Sequence, residues 1–127
     1  MTKQLSPKHF DALDCKNLKS KKCTFVLFYV DWCGYCKRMQ GDWKKLGDTV
    51  AFMDIARYNC DTYPSHFQHL KSEGIIGSFP TIILYKNGKP FHSYKGDRDV
   101  KSLLNFAIKS CNLKQVKVKN GKLRKLK

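Results

Sequence analysis

Thr24-Phe25-Val26-Leu27-Phe28-Tyr29-Val30-Asp31-Trp32-Cys33-Gly34-Tyr35-Cys36-Lys37-Arg38-Met39-Gln40-Gly41-Asp42-Trp43 decides how this chain is read. Its first seven residues are aromatic and β-branched without alternation, the pattern of a strand covered on both faces. Cys36, Met39, Trp43 and Leu46 then recur at helical spacing, so a helix is expected from near Cys33 to about Gly47. Two cysteines separated by two residues thus fall where a buried strand turns into a helix. Unpaired amide N–H groups and the helix dipole favour an anion at such a point. Cys33 is expected there as a partly exposed thiolate, the nucleophilic form of cysteine. Cys36, one turn inside, is shielded yet placed to attack a mixed disulfide formed on Cys33. The chemistry is thiol–disulfide exchange, which needs no cofactor beyond a Cys33–Cys36 disulfide.

Outward from this stretch the pattern is α/β. Gln4 to Ser6 reads as a short strand, and Pro7 suits the start of a helix with Phe10, Leu13 and Leu18 on one face. Lys16 to Lys22 reads as a solvated connector. Met53 to Asn59 and Thr81 to Tyr85 are apolar strands, with a short helix from Ser65 to Glu73 between them that Gly74 stops. Asn87-Gly88 supplies the positive-φ pair of a tight hairpin, so Pro90 to Lys95 returns antiparallel. Val100, Leu103, Leu104, Ala107, Ile108 and Cys111 share one helix face, with Asp99 as N-cap. The expected order is β-α-β-α-β-α-β-β-α, a mixed sheet with helices on both faces.

With 127 residues the chain fits one domain, read as residues 1–112 followed by a basic tail, 113–127. The longest apolar run, Phe25 to Val30, is far short of the roughly 20 residues that cross a bilayer. No secretory h-region is visible near Met1, so a cytoplasmic setting is expected, with packaging into a particle or carriage by a partner left open. On that basis Cys15, Cys23, Cys33, Cys36, Cys60 and Cys111 are read as thiols and not as a disulfide framework. Cys60 and Cys111 are expected to be buried and inert, and Cys15 and Cys23 to flank the lysine-rich connector. His9, His66, His69 and His92 are read as surface residues. A monomer is expected.

Lys and Arg number 25 against 10 acids, a net charge of +15. Seven of those cations, Lys114, Lys117, Lys119, Lys122, Arg124, Lys125 and Lys127, lie in the acid-free tail. The tail has three readings: a solubilising extension; a small hairpin, with Val116 and Val118 alternating with lysines before Asn120-Gly121; or an anchor for nucleic acid, anionic surfaces or an acidic partner. With no aromatic after Phe106, any nucleic-acid contact there is phosphate-driven and sequence-blind.

Zinc also uses CxxC pairs, but normally with a second pair, and the only His pair is His66 and His69. No metal site is therefore assigned, although two CxxC pairs across a dimer offer a metal or cluster reading.

Trp32-Cys33-Gly34-Tyr35-Cys36-Lys37, Phe79-Pro80-Thr81 and Tyr85-Lys86-Asn87-Gly88, in this order and spacing, resemble the thioredoxin superfamily from about Gln4 to Asn112. Gly41-Asp42-Trp43, Asn59-Cys60-Asp61, Phe79 and Tyr94-Lys95-Gly96-Asp97-Arg98 lean toward the protein disulfide isomerase type of domain. The resemblance implies a thioredoxin fold and a protein disulfide oxidoreductase acting on protein thiols and disulfides. It makes Cys33 the attacking and Cys36 the resolving cysteine. Trp32, Gly34, Tyr35, Phe79 and Pro80 become substrate-contacting residues, with Pro80 following a cis bond and exposing the Phe79 backbone to a substrate strand. Arg98 becomes a cation that tunes the pKa of the resolving thiol.

Departures are specific. The family's buried acid, six residues before the first cysteine, is Leu27 here, while its basic neighbour survives as Arg57, readable equally as a relic of that pair or as a surface cation. Gly41 replaces a helix proline. Tyr35 is neither the proline of reductases nor the histidine of isomerases, which leaves the potential anywhere between roughly −270 and −120 mV. The rival reading, favoured by Leu27, is a non-catalytic binding module that keeps the docking groove and uses the basic tail for affinity.

Overall fold

A computed structural model describes residues 1–111, 116–119 and 122–125. Its elements are β1 (Thr2–Gln4), β2 (Thr24–Tyr29), α1 (Gly34–Thr49), β3 (Asp54–Asn59), α2 (Pro64–Ser72), β4 (Thr81–Lys86), β5 (Lys89–Ser93), α3 (Val100–Ser110), β6 (Val116–Lys119) and β7 (Lys122–Lys125). Five strands form one mixed sheet in the order β1-β3-β2-β4-β5. β2 lies at its centre, parallel to β3 and antiparallel to β4. All six residues of β2 are buried, which accounts for its unbroken apolar sequence.

Side chains alternate along a strand, so Phe25 and Phe28 point to opposite faces. Phe25 packs on Trp43 of α1 and on Phe106 of α3, with ring centroids 5.2 and 5.7 Å away. Phe28 packs at 5.6 Å on Tyr58, which meets His66 of α2 at 5.4 Å. Helices α1 and α3 therefore cover one face and α2 the other, as the hydrophobic pattern predicts. Trp43 and Met39 are core residues at 0% and 3% exposure, and the Trp43 indole donates to the Ala56 carbonyl at 2.9 Å.

Local signals set the boundaries. Asp99 caps α3 by accepting the Ser102 amide proton, and Pro64 occupies the first turn of α2. Asn87 and Gly88 have φ of 54° and 82°, the left-handed pair that a two-residue hairpin between β4 and β5 requires. Gly88 is further constrained because a Cβ there would come within 2.7 Å of the Leu18 carbonyl.

Two expectations are corrected. The helix expected after Pro7 is a single 3₁₀ turn, Pro7–His9, and Leu13 is 98% exposed. The Asp11 carboxylate accepts the amide protons of Leu13 and Asp14 at 2.8 and 3.1 Å, diverting donors that a helix would use. Residues 10–18 instead close as a loop with a Phe10–Leu18 bridge. The reading of all six cysteines as thiols also fails, because Cys23 and Cys111 form a disulfide with Cα atoms 6.2 Å apart. It ties the entrance of β2 to the end of α3, so Cys111 is not an inert buried thiol.

Strands β6 and β7 pair antiparallel, Val116 opposite Lys125 and Lys119 opposite Lys122, the ribbon of the hairpin reading. The Asn120-Gly121 turn, and the side chains on which the anchor reading depends, lie outside the described residues.

Candidate active site

Cys33 sits at the C-terminal end of β2, where the chain leaves the centre of the sheet, and it is the N-cap of α1. Its Sγ accepts the Cys36 amide proton at 3.1 Å, satisfying one of the donors that a helix start leaves free. Both sulfurs are free thiols. Cys33 is 8% exposed and Cys36 1%, so the attacking position is more enclosed than the sequence suggests. Its aromatic neighbours in sequence are open to solvent. Trp32 is 70% and Tyr35 61% exposed on either side of Cys33.

The Phe79–Pro80 peptide bond is cis and leads directly into β4, whose Thr81 is paired with Phe28 of β2. Trp32 meets the Phe79 ring edge-on at 6.1 Å, and Phe79 packs on Phe67 at 5.5 Å. The Trp32 indole donates to Asp61 at 3.4 Å. Cysteine pair, tryptophan, tyrosine and the Phe79-Pro80 loop thus lie at one end of the central strands β2 and β4.

Burial pushes the Cys36 thiol up to about 12, reinforced by its hydrogen bond with Cys33, while the Arg98 charge pulls it the other way. Such a thiol is held protonated until a partner or a rearrangement takes its proton. Leu27 is fully buried beneath the α1 face, in register with Arg57 of β3, so no carboxylate stands there. Arg57 donates to Gln40 of α1 at 3.1 Å, and both line a cleft of about 480 Å³ that reaches Cys36. Arg57 is therefore a partner of α1 and not a free surface cation.

Several contacts around the pair escaped the sequence. Arg38 lies over the Tyr35 ring, 4.4 Å from its centroid; the i, i+3 spacing on a helix is the signal that could have shown it. The buried Cys60 thiol is pushed up to about 12, mainly by burial and then by the charges of Asp61 and Cys36, which puts a third sulfur within electrostatic reach of the pair. His66 is not a surface residue. One ring nitrogen is 2.6 Å from the Tyr58 hydroxyl and the other 2.8 Å from the Cys15 carbonyl, which fastens α2 and β3 to the loop before β2. Among the described residues, no three His, Cys, Asp or Glu side chains converge as metal ligands, and no helix is long and apolar enough to cross a membrane.

The family model described as Thioredoxin matches residues 1–109. Protein disulfide-isomerase like 2-2 of Arabidopsis thaliana is 36% identical over 107 residues, which cover 84% of this chain and 22% of that protein. The chain therefore spans less than a quarter of that relative. The J-Trx1 fragment of ERdj5 superposes with a TM-score of 0.72 at 25% identity, covering 87% of this chain and 52% of the other. Human ERp44 gives 0.67 at 25% identity, covering 85% and 32%. These likenesses overturn the expectation of a cytoplasmic setting: disulfide-isomerase relatives together with ERdj5 and ERp44 point to the lumen of the endoplasmic reticulum. The Cys23–Cys111 disulfide agrees, since such bonds persist in oxidising compartments.

Proposed function

Because this chain belongs to the thioredoxin family, as a domain like those of the protein disulfide-isomerases, we propose that Cys33 and Cys36 exchange disulfides with protein substrates. The observation that carries this reading is the cap geometry. One sulfur accepts the helix's amide proton at the rim, and the second is buried one turn behind it.

In the reducing direction, Cys33 thiolate attacks one sulfur of a substrate disulfide. That S–S bond breaks, a Cys33–substrate disulfide forms, and the other substrate sulfur leaves as a thiolate that takes up a proton. Cys36 then loses its proton and attacks the Cys33 sulfur. The second substrate thiol is released, and the Cys33–Cys36 disulfide holds the pair in its oxidised form. Two electrons pass to the substrate. The oxidising direction is the same sequence reversed.

Each surrounding residue has a part. Trp32 and Phe79 offer an aromatic platform, the backbone beside Pro80 receives an extended substrate segment, and Gly34 and Tyr35 form the lip on the helix side. Arg98 eases Cys36 deprotonation by its charge. With Leu27 in place of an acid, the proton of Cys36 leaves through the cleft that Asp31, Lys37, Gln40 and Arg57 line beside it.

The test is equilibration of the Cys33–Cys36 pair in glutathione buffers, together with refolding of a scrambled disulfide protein. A reversible couple lost in Cys33→Ser, with mixed disulfides accumulating in Cys36→Ser, is the expected result. If the pair forms no disulfide and Cys36→Ser traps nothing, exchange is excluded and the domain is a binding module.

A further inference from the structure

The rim of the cysteine pair is charged unequally. On the Trp32 side both acids are engaged within the fold. The Asn59 amide donates to Asp31 at 3.3 Å, and Asp61 takes the Trp32 indole proton at 3.4 Å. On the α1 side the cations are not. Arg38 and Arg98 line one cleft of about 270 Å³ with Tyr35, Met39 and Asp42. Among the described residues neither arginine forms an ion pair within 4 Å; Asp97 and Asp99 flank Arg98 in the chain, and Asp42 is the single carboxylate of the lining that Arg38 shares.

The arrangement has the parts of a recognition site. The Tyr35 ring holds the Arg38 guanidinium at 4.4 Å, which limits the freedom of a long side chain before anything binds. A stacked guanidinium still presents N–H donors at its edge, suited to a carboxylate in two-pronged fashion. Arg98 contributes a second charge from the loop before α3. Tyr35 lies two residues after Cys33 and is 61% exposed, within reach of residues flanking a sulfur held at Cys33.

We propose that Arg38 and Arg98, set around Tyr35, form a pocket for an acidic side chain flanking the substrate disulfide, so that this domain prefers acidic segments. The inference rests on the exchange reading above and adds the substrate class to it.

Three disulfide-looped peptides that differ only in one residue beside a cysteine, Glu, Gln or Lys, test it. Pre-reduced protein is mixed with each in single-turnover experiments, so that its own dithiol supplies both electrons. The half-saturating concentration is expected to rise from Glu to Gln to Lys, about 5- to 10-fold across the series at low ionic strength, with little change in the limiting rate. That order is expected to collapse in 0.5 M salt and in Arg38→Gln, with Arg38→Lys recovering only part of it. Serine analogues of the same peptides, unable to exchange disulfides, give the binding order directly by fluorescence anisotropy. Equal half-saturation and equal anisotropy titrations for all three peptides would overturn the proposal while leaving exchange intact. So would an order that survives Arg38→Gln. Should no peptide be reduced while the serine analogues still bind in the order Glu, Gln, Lys, exchange fails and acidic recognition stands.

Discussion

Breaking the Cys23–Cys111 bond is expected to weaken this domain more than removing almost any one core methyl group. The two cysteines are 88 residues apart in sequence, so the bond closes most of the chain into a single loop. Loop-closure entropy for that length is worth about 4.6 kcal/mol at 25 °C. Residual structure in the unfolded chain lowers this, and native disulfides in small domains are typically worth about 2–5 kcal/mol. For 127 residues the entropy of unfolding is about 0.27 kcal/mol per degree, so Tm should fall by roughly 7–18 °C. The measurement belongs in a Cys33→Ser/Cys36→Ser background, which leaves Cys15, Cys23, Cys60 and Cys111 and confines a reductant's action to the structural bond. Urea unfolding with and without phosphine then reports the bond alone, and thiol titration of the denatured, unreduced protein should count two of the four cysteines. Four reactive thiols, or a stability change below about 0.5 kcal/mol on reduction, would refute the reasoning.

Three other outcomes follow from the site and its surroundings. Burial holds the Cys36 thiol well above its ordinary pKa, so iodoacetamide should modify Cys33 in the reduced native protein and reach Cys36 only after denaturation; equal labelling of both in mass spectra would contradict this. Burial lowers the His66 pKa below its ordinary 6.5, so the unfolded chain takes up the proton first. The stability this contributes is complete above pH 6.5 and lost as pH falls through the folded-state value. The difference in urea midpoint between the protein and His66→Gln should therefore shrink on acidification, and a constant difference from pH 7.5 to 5 would be the wrong result. Leu27→Glu should cost about 2–4 kcal/mol at neutral pH by burying an acid, yet speed release of a Cys33 mixed disulfide about tenfold or more by accepting the Cys36 proton. Leu27→Gln should lose stability without that gain, and identical release rates for the two variants would remove the proton-transfer argument.

How far the sequence could be read depended on the range of the forces involved. Strand β2, the start of α1, the Asn87-Gly88 turn and the Asp99 cap are set by residues within a few positions of one another, and each lies where its local pattern puts it. The loop after Pro7 failed for a local reason as well. Phe10, Leu13 and Leu18 imitate a helix face, but Asp11 and Asp14 offer the backbone other partners, and no apolar pattern records that competition. Placement was legible where a motif fixes it: Cys33 and Cys36 stand at the start of α1, and Pro80 follows a cis bond just before β4. Arg38 over Tyr35 and the bond between Trp32 and Asp61 depend on side-chain directions that spacing only permits.

The cysteines show why the remainder was hidden. Pairing between Cys23 and Cys111 is fixed by the meeting of a strand entrance with a helix end across 88 residues, a tertiary fact with no sequence spacing of its own. Reading them as thiols followed from an assumed reducing compartment. Once that assumption is replaced, both errors are one error, and the two observations support each other. An oxidising setting allows the Cys23–Cys111 bond to persist, and a bond that fastens β2 to α3 steadies the two elements that hold Cys33 and approach Arg98. In the reducing direction of the proposed exchange, the greater demand falls on Cys36. Its thiol is held protonated by burial, with Leu27 where an acid would have taken the proton, so under the proposed exchange the resolving step is the one on which reduction of a substrate turns.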